Sequence, residues 1–421
     1  MKQTFPLSTS TLANGLRVAI NHDPWVPGVA VNLWYDVGSS DEQRGRTGFA
    51  HLFEHLMFSG SANVANGEFD TIMQQVGGHS NASTNFDCTN YYEVVPASAV
   101  ELALWLEADR LSTLLERVDQ TNLDTQRDVV KEEKRQSHDN VPYGDAFEHL
   151  LALTFPADHP YAHLPIGSMA DLDDATLDDV HQFFRRYYRP DNLIVSLAGA
   201  IEPDRGLELV NHYLGEVAMA PTNPRPTVAA LPAMTALSRQ EVVASVPQDV
   251  IYLTWRIPPI SDPGNDALNI WLSVISGSMT SRLTEGLVRT NLADSVDCYD
   301  LGLNRGNSVV VATAACVEGV SPEQLEEAMS SLWEQAINQG PTAVELDRAK
   351  RLEDLQYLSD CASTRSRAEH IGAAWALFND ADEINHHLDD IHALTTDAVA
   401  QAASQWLRPE QRAVLTYRRS A

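Results

Sequence analysis

GFAHLFEHLMFSG, residues 48–60, is the stretch on which the predicted fold depends. Its apolar residues surround nearly the whole circumference of a helix, which is typical of a buried helix. His51, Glu54 and His55 occupy positions i, i+3 and i+4, and these positions share one face of a helix. Burying two imidazoles and a carboxylate without partners would cost several kcal/mol, so a metal ion explains the pattern better than chance does.

The order His-x-x-Glu-His predicts hydrolytic chemistry on a metal ion. Two imidazoles at i and i+4 can bind one divalent ion, and the neighbouring carboxylate can take a proton from a metal-bound water. This order reverses that of the commoner zinc peptidase motif and is itself a catalytic signature. We therefore expect His51 and His55 to be ligands and Glu54 to be the general base.

The composition is typical of a globular protein and argues against nucleic-acid binding. At 421 residues the chain suits two domains of roughly 200 residues each. A net charge of −29 would repel phosphate over most of the surface. No apolar stretch predicts a membrane span, and the N-terminal residues lack a signal-peptide pattern. The four scattered cysteines predict reduced thiols, so we expect a cytoplasmic location.

Three further segments surround the motif. Val29–Val37 has the alternation of a strand, and a polar loop joins it to the predicted metal helix. Asn81–Val95 alternates polar and apolar residues and is rich in Thr, Tyr and Phe, which predicts a hairpin. Thr121–Ser137 predicts a helix whose acidic residues are candidates for a third metal ligand.

The second half of the chain repeats the pattern of the first without its metal motif. Residues 218–234 contain four prolines and predict a linker. Beyond it, Asp249–Ile257 resembles Val29–Val37, and Asp266–Ile275 takes the place of the metal helix without a His or Glu. The pattern predicts two homologous domains, at 1–217 and 235–421, of which the first carries the metal site.

Several motifs together resemble the pitrilysin family of zinc peptidases. They are LANGLRV (12–18), VGSSDEQRGRTGFAHLFEHLMFSG (37–60), GGHSNASTNFDCTNYY (77–92), HPYAHLPIG (159–167), YYRPDNLIVSLAG (187–199) and, more loosely, SGSMTSRL (276–283). The chain looks like a short, bacterial-type member similar to the beta subunit of mitochondrial processing peptidase. The resemblance implies an α+β fold of two domains, each a mixed β-sheet with helices on one face, forming one half of a clamshell.

The resemblance also assigns the metal site. His51 and His55 match the two zinc ligands, Glu54 matches the general base, and the third ligand falls within VVKEE as Glu133. Its neighbour Glu132 remains an alternative, and only one of the two can ligate because adjacent helix positions point about 100° apart. One Zn²⁺ per chain is expected. Relatives often carry an acid seven residues before the ligand glutamate, where this chain has Gln126.

Two more parts of the family pattern concern the substrate. The strand around Asn81, Ala82, Ser83 and Thr84 resembles an edge strand to which a substrate peptide adds. Peptide-cleaving relatives carry an Arg and a Tyr after SRL, and these side chains contact the peptide and stabilise the oxyanion. Arg289 can stand for the Arg, but the Tyr position holds Asp294, which would repel an oxyanion.

The resemblance therefore implies a zinc endopeptidase subunit that cleaves short or unfolded peptides in a closed chamber. A second, homologous subunit is expected to supply the Arg and Tyr, giving a heterodimer. Two alternatives stay open: a self-sufficient homodimeric peptidase that uses Arg289 with another donor, and a non-catalytic peptide-binding or structural subunit.

Overall fold

The structure is a computed structural model that describes residues 4–218, 225 and 227–420. Contacts divide the chain into two compact units. The first unit comprises Met1–Lys134, His163–Pro226 and Leu358–His386, and the second comprises Arg135–Ala162, Thr227–Tyr357 and His387–Ala421. Each unit contains one mixed β-sheet.

The strands divide between these two sheets. They are β1 Ser8–Thr11, β2 Arg17–His22, β3 Gly28–Tyr35, β4 His79–Thr84, β5 Thr89–Pro96, β6 Leu193–Gly199, β7 Ser238–Ala244, β8 Val250–Ile257, β9 Ala293–Asp300, β10 Ser308–Cys316 and β11 Ala413–Arg419. The first sheet has the order β1-β2-β6-β3-β5-β4, and the second has the order β7-β11-β8-β10-β9. In both sheets one pair is parallel (β2 with β6, β7 with β11) and the others are antiparallel. This shared topology supports the predicted duplication.

The helices cover the faces of these sheets. They are α1 Phe49–Leu56, α2 Glu68–Gln75, α3 Val100–Thr113, α4 Gln120–Lys134, α5 Ala146–Thr154, α6 Met169–Asp173, α7 Leu177–Tyr187, α8 Pro203–Leu214, α9 Pro263–Ser276, α10 Pro322–Gln339, α11 Ala343–Asp360, α12 Thr364–Phe378, α13 Glu383–Ala393 and α14 Thr396–Trp406. Among the described residues no helix is both long enough and apolar enough to cross a membrane. All four cysteines are buried free thiols.

The central strand β3 is apolar on both faces because both faces are covered. One face packs into the main core through Val29, Val31, Leu33 and Tyr35. On the other face, Ala30 packs with Ala368, and Trp34 packs near Trp375. A strand buried on both sides reads as a nearly continuous apolar run, which is what GVAVNLWY shows.

Each sheet receives one helix from the other half of the sequence. Helix α12 packs on β3 and β6 of the first sheet, on the face opposite α3. Helix α5 packs on β8 and β11 of the second sheet, where Thr154 Oγ1 lies 2.7 Å from Thr254 Oγ1. On the other face of that sheet, Trp255 stacks on Trp333 of α10 at 4.4 Å.

The predicted fold class is confirmed: two mixed sheets, each with helices packed on it. The structure adds α12 and α5 on the second faces, which the sequence did not indicate. The domain boundaries at 1–217 and 235–421 stay a prediction. The predicted linker at 218–234 lies in part outside the described residues, which omit 219–224 and 226.

Candidate metal centre

A buried carboxylate holds the start of the predicted metal helix. Gly48 precedes α1 with φ of 88°, and its N–H donates to Glu42 Oε2 at 2.8 Å. The N–H of Ala50 donates to Glu42 Oε1 at 2.7 Å, and His163 Nε2 donates to Oε2 at 2.9 Å. Glu42 thus satisfies two of the unpaired amides at the helix N-terminus. Burial raises the pKa of Glu42, while His163 and the two amides act in the opposite direction.

The apolar face of α1 fixes the rotation of the helix. Leu52, Phe53 and Leu56 are buried in the main core. The Phe53 ring lies 4.6 Å from that of Tyr188 and 5.6 Å from that of Phe184. Because this face points inward, the three polar side chains of the motif point together toward α4 and β4.

The three predicted ligands come together in the structure. His51 Nε2 lies 3.7 Å from Glu133 Oε1, and His55 Nε2 lies 3.3 Å from Glu133 Oε2. The candidate ligand atoms all lie within 4.8 Å of one another. Ligand atoms around a tetrahedral zinc ion with bonds of roughly 2.0–2.1 Å are roughly 3.3–3.5 Å apart. The residues present therefore fit a zinc ion, with two imidazoles and one carboxylate as donors.

Helix α4 presents Glu133 rather than Glu132 to the histidines. Val130 is buried, and Lys131 forms an ion pair with Asp173 at the end of α6, so the helix is fixed in rotation. Glu133 then faces α1, while Glu132 is exposed. Within the described part of the chain this is the only group of three or more such side chains placed to hold a metal ion.

Gln126 lies two turns before Glu133 on α4 and hydrogen-bonds to His55. Burial lowers the pKa of His55, whereas Glu133 and the hydrogen bond to Gln126 act in the opposite direction. An amide at this position can therefore still orient a ligand, although it adds no charge.

Glu54 is placed beside this group and has an unusual environment. Thr84 Oγ1 donates a hydrogen bond to Glu54 Oε2 at 2.6 Å. The pKa of Glu54 is raised to about 7, mainly by burial. The charge of Glu133 also raises this pKa, and the hydrogen bond from Thr84 lowers it. A carboxyl group with a pKa near neutrality suits a group that takes up and releases a proton.

The predicted substrate strand is β4, at the edge of the first sheet. β4 pairs with β5, with Asn81 opposite Tyr92 and Thr84 opposite Thr89. Ala82 packs against the core, and Ser83 Oγ donates to Asn90 Oδ1 on the opposite face of the sheet. Thr84, the last of the four predicted residues, hydrogen-bonds to Glu54 of the motif.

Arg289 and Asp294 belong to the second unit. Arg289 follows a helical turn, with Nε 3.1 Å from Glu285 Oε1 and Nη2 donating to the Met279 carbonyl at 3.3 Å. Asp294 is exposed on β9, the edge strand of the second sheet. β9 occupies the place that β4 has in the first sheet.

A buried ion cluster supports the C-terminal side of the motif. The Arg110 guanidinium lies 5.2 Å from the ring of Phe58 and 4.6 Å from that of Tyr91. It pairs with Glu107, one turn earlier on α3, and its Nη2 lies 3.7 Å from Glu93 Oε1. Burial raises the pKa of Glu93 well above its usual value, and the charge of Glu107 adds to this effect.

Sequence reasoning missed Glu42 and the bond from Thr84 to Glu54. Glu42 lies in a charged loop, SSDEQRGRTG, where nothing distinguishes a buried carboxylate from a solvated one. Thr84 was predicted only as part of the substrate-binding edge strand. Its spacing from Glu54 in sequence carries no signal, because the contact depends on how α1 packs on β4.

Comparisons with known proteins identify the family of this chain. The family model described as Insulinase (Peptidase family M16) matches residues 17–163, which include all three candidate ligands, and the Peptidase M16 inactive domain model matches residues 174–353. An uncharacterized zinc protease of Mycobacterium leprae is 31% identical over 413 residues, covering 94% of this chain and 88% of that protein. The chain belongs to peptidase family M16. The predicted pitrilysin resemblance is thereby confirmed.

Two further similar proteins are informative. The crystal structure of a protease from Helicobacter pylori superposes with a TM-score of 0.91 at 26% identity, covering 99% of this chain and all of that one. A probable mitochondrial-processing peptidase subunit beta of Schizosaccharomyces pombe is 30% identical over 209 residues, which is 50% of this chain and 45% of that protein. The family contains proteins named as zinc proteases, so this chain is related to zinc-dependent peptidases.

Proposed function

We propose that this chain is a zinc metalloendopeptidase subunit, with one Zn²⁺ held by His51, His55 and Glu133. The observation that carries the proposal is that these three side chains converge beside Glu54, a carboxyl group with a pKa of about 7. If Glu133 were only a solvated acid on a helix surface, its carboxylate would not be expected to lie against two half-buried imidazoles.

The residues divide the chemistry between them. When bound, zinc supplies a Lewis acid that polarises the scissile carbonyl and makes water more acidic. Glu54 accepts the proton of the attacking water through the carboxylate oxygen that Thr84 does not occupy, and returns it to the leaving amine. Gln126 keeps the ring of His55 oriented, and Glu42 holds the start of α1 in place.

We infer that the substrates are extended peptides that add to the edge of β4. Among the described strands β4 pairs with β5 alone, so the other edge of Asn81–Thr84 is open to a further strand. Backbone pairing binds peptides with little dependence on their sequence. Short or unfolded peptides fit this mode because their backbone is available for pairing.

We further propose that a second, homologous subunit completes the active site. Asp294 stands where peptide-cleaving relatives are expected to carry a Tyr, and an ionised carboxylate cannot donate to an oxyanion. Arg289 is already engaged by Glu285 and by a backbone carbonyl. The M16 relative from Schizosaccharomyces pombe is named as a subunit, which agrees with a heterodimer. A cytoplasmic location stays a prediction.

The test is a cleavage assay with a quenched fluorescent peptide. The zinc-loaded chain is assayed alone and with a homologous protein that carries the Arg and Tyr. We expect cleavage in the mixture, and we expect Glu54→Gln to abolish it while zinc content stays at one ion per chain. Glu132→Gln is the matched control, because this exposed acid lies one residue from the proposed ligand.

Other results would select another function. Cleavage by the chain alone would favour a self-sufficient homodimer over the two-chain enzyme. Full activity of Glu54→Gln would refute the mechanism. A zinc-loaded chain that binds peptides but cleaves none, alone or mixed, would make it a binding subunit.

A further inference from the structure

Thr84 has a contact that a strand residue does not need for pairing. Its hydroxyl donates to Glu54 Oε2 at 2.6 Å. The two residues come from different elements, α1 and β4, and are thirty residues apart in sequence. Alternation along β4 places Thr84 and Ala82 on the face toward α1, while Ser83 bonds to Asn90 on the other face.

The geometry points to Thr84 as the positioning residue of the general base, an inference that rests on the proposed function of Glu54. The hydrogen bond from Thr84 occupies Glu54 Oε2, which leaves Oε1 to accept a proton. The same bond fixes the plane of the carboxyl group. A glutamate has three rotatable side-chain bonds, and holding it in one conformation removes rotamer freedom that would otherwise lower the population of the reactive geometry.

The position of Thr84 also links the base to the peptide-binding strand. Thr84 is the last residue of β4, which is the strand that we propose receives the substrate. A peptide paired along Asn81–Thr84 would restrain the backbone that carries the hydroxyl. Substrate binding and orientation of the base would then depend on the same four residues.

The simpler alternative is that Thr84 only satisfies a hydrogen-bond acceptor of the half-buried Glu54 carboxylate. In that case the hydroxyl would contribute to folding, and its loss would leave the turnover of folded enzyme unchanged. Two measurements separate a positioning role from a folding role. The first is whether kcat falls while KM stays the same, and the second is the conformation of Glu54. A purely folding role would change neither the kcat of folded enzyme nor the conformation of Glu54.

The experiment compares Thr84→Val, which has nearly the same shape but no hydroxyl, with Thr84→Ser, which keeps it. Thr71→Val is the matched control, because the Thr71 hydroxyl on α2 donates to a local backbone acceptor, the Gly67 carbonyl that precedes the helix, at 3.4 Å. Each variant is assayed as the zinc-loaded chain, alone or with the second subunit, whichever preparation cleaves peptide. Crystal structures of the zinc-loaded variants provide a readout that does not depend on activity.

We expect Thr84→Val to keep one zinc ion and to lower kcat about 10- to 100-fold with KM changed less than about twofold, part of the usual contribution of a general base. Its crystal structure should show Glu54 turned away or in several conformers. Thr84→Ser should restore a single conformer and most of kcat, and Thr71→Val should behave as wild type.

Unchanged kcat, an effect on KM alone, or an unmoved Glu54 in Thr84→Val would overturn the inference. If Thr84→Val does not fold, Thr84→Ala is judged by the same criteria. If Glu54→Gln is inactive while Thr84→Val is fully active, this inference fails and the proposed function stands. If Glu54→Gln remains active, the proposed function fails, and this inference fails with it.

Discussion

Replacing Glu42 tests whether the metal helix depends on its buried cap. Glu42→Ala removes the acceptor from the N–H groups of Gly48 and Ala50 and from His163. A buried donor left without an acceptor costs about 1–3 kcal/mol. Water can enter the vacated space and offset part of this loss, so we expect α1 to be destabilised by about 3–5 kcal/mol. Glu42→Gln keeps one acceptor oxygen and should lose about half as much.

The assay is amide hydrogen exchange of the peptide that spans residues 48–56, measured on metal-free protein. Local exchange reports the opening of α1 even where the whole chain does not unfold in one step. At about 1.4 kcal/mol per tenfold, Glu42→Ala should lower protection there by a factor of about 100 to 1,000 or more. Zinc affinity should fall about 10- to 100-fold, because His51 and His55 lie on this helix.

The control is Glu116→Ala, which removes an exposed carboxylate from the same unit. Its effect should stay within about 0.5 kcal/mol. If Glu42→Ala leaves protection of α1 within tenfold of wild type, the carboxylate does not hold the helix, and the proposed role of Glu42 is wrong.

Three further predictions follow from the site and its surroundings. Glu133→Gln should reduce bound zinc to well below one ion per chain, and Glu132→Gln should leave it unchanged, as measured by atomic emission. In metal-free protein the raised pKa of Glu54, about 7, contributes stability that is present below about pH 4.5 and is lost as pH rises through 7. Glu54→Gln should therefore stabilise the apo-protein at pH 8 by up to about 3 kcal/mol, but not at pH 4. Urea unfolding at the two pH values measures this difference. Arg110→Met leaves buried acids without their cation and should destabilise the protein by about 3–5 kcal/mol, whereas a neutral result would show that the cluster is dispensable.

Much of the first unit was predictable because its signals are local. The motif gives both the helix and its polar face, since periodicity alone puts His51, Glu54 and His55 together. The hairpin at β4 and β5 follows from alternation and composition. The choice between Glu133 and Glu132 needed the rotation of α4, which Val130 and Lys131 set through contacts distant in sequence.

The unpredicted features depend on long-range packing. In the sequence Glu42 does not differ from the other charged residues of its loop. Its burial depends on the position of the loop at the N-terminus of α1. The hydrogen bond from Thr84 depends on the distance between a helix and a strand. Helix α12 has a pattern that fits any sheet with small residues on its surface, so its sequence does not say which sheet it covers.

Helix α12 also sets an order of events while the protein is being made. The last strand of the first sheet ends at Gly199, but α12, which covers the face of that sheet opposite α3, ends at Phe378. At about 5–20 residues per second, a ribosome needs roughly 10 to 35 s to add the residues between them. Throughout this interval Trp34 and Ile194 lack their cover. Slow translation of the second half therefore prolongs the time in which the nascent first sheet is prone to aggregate.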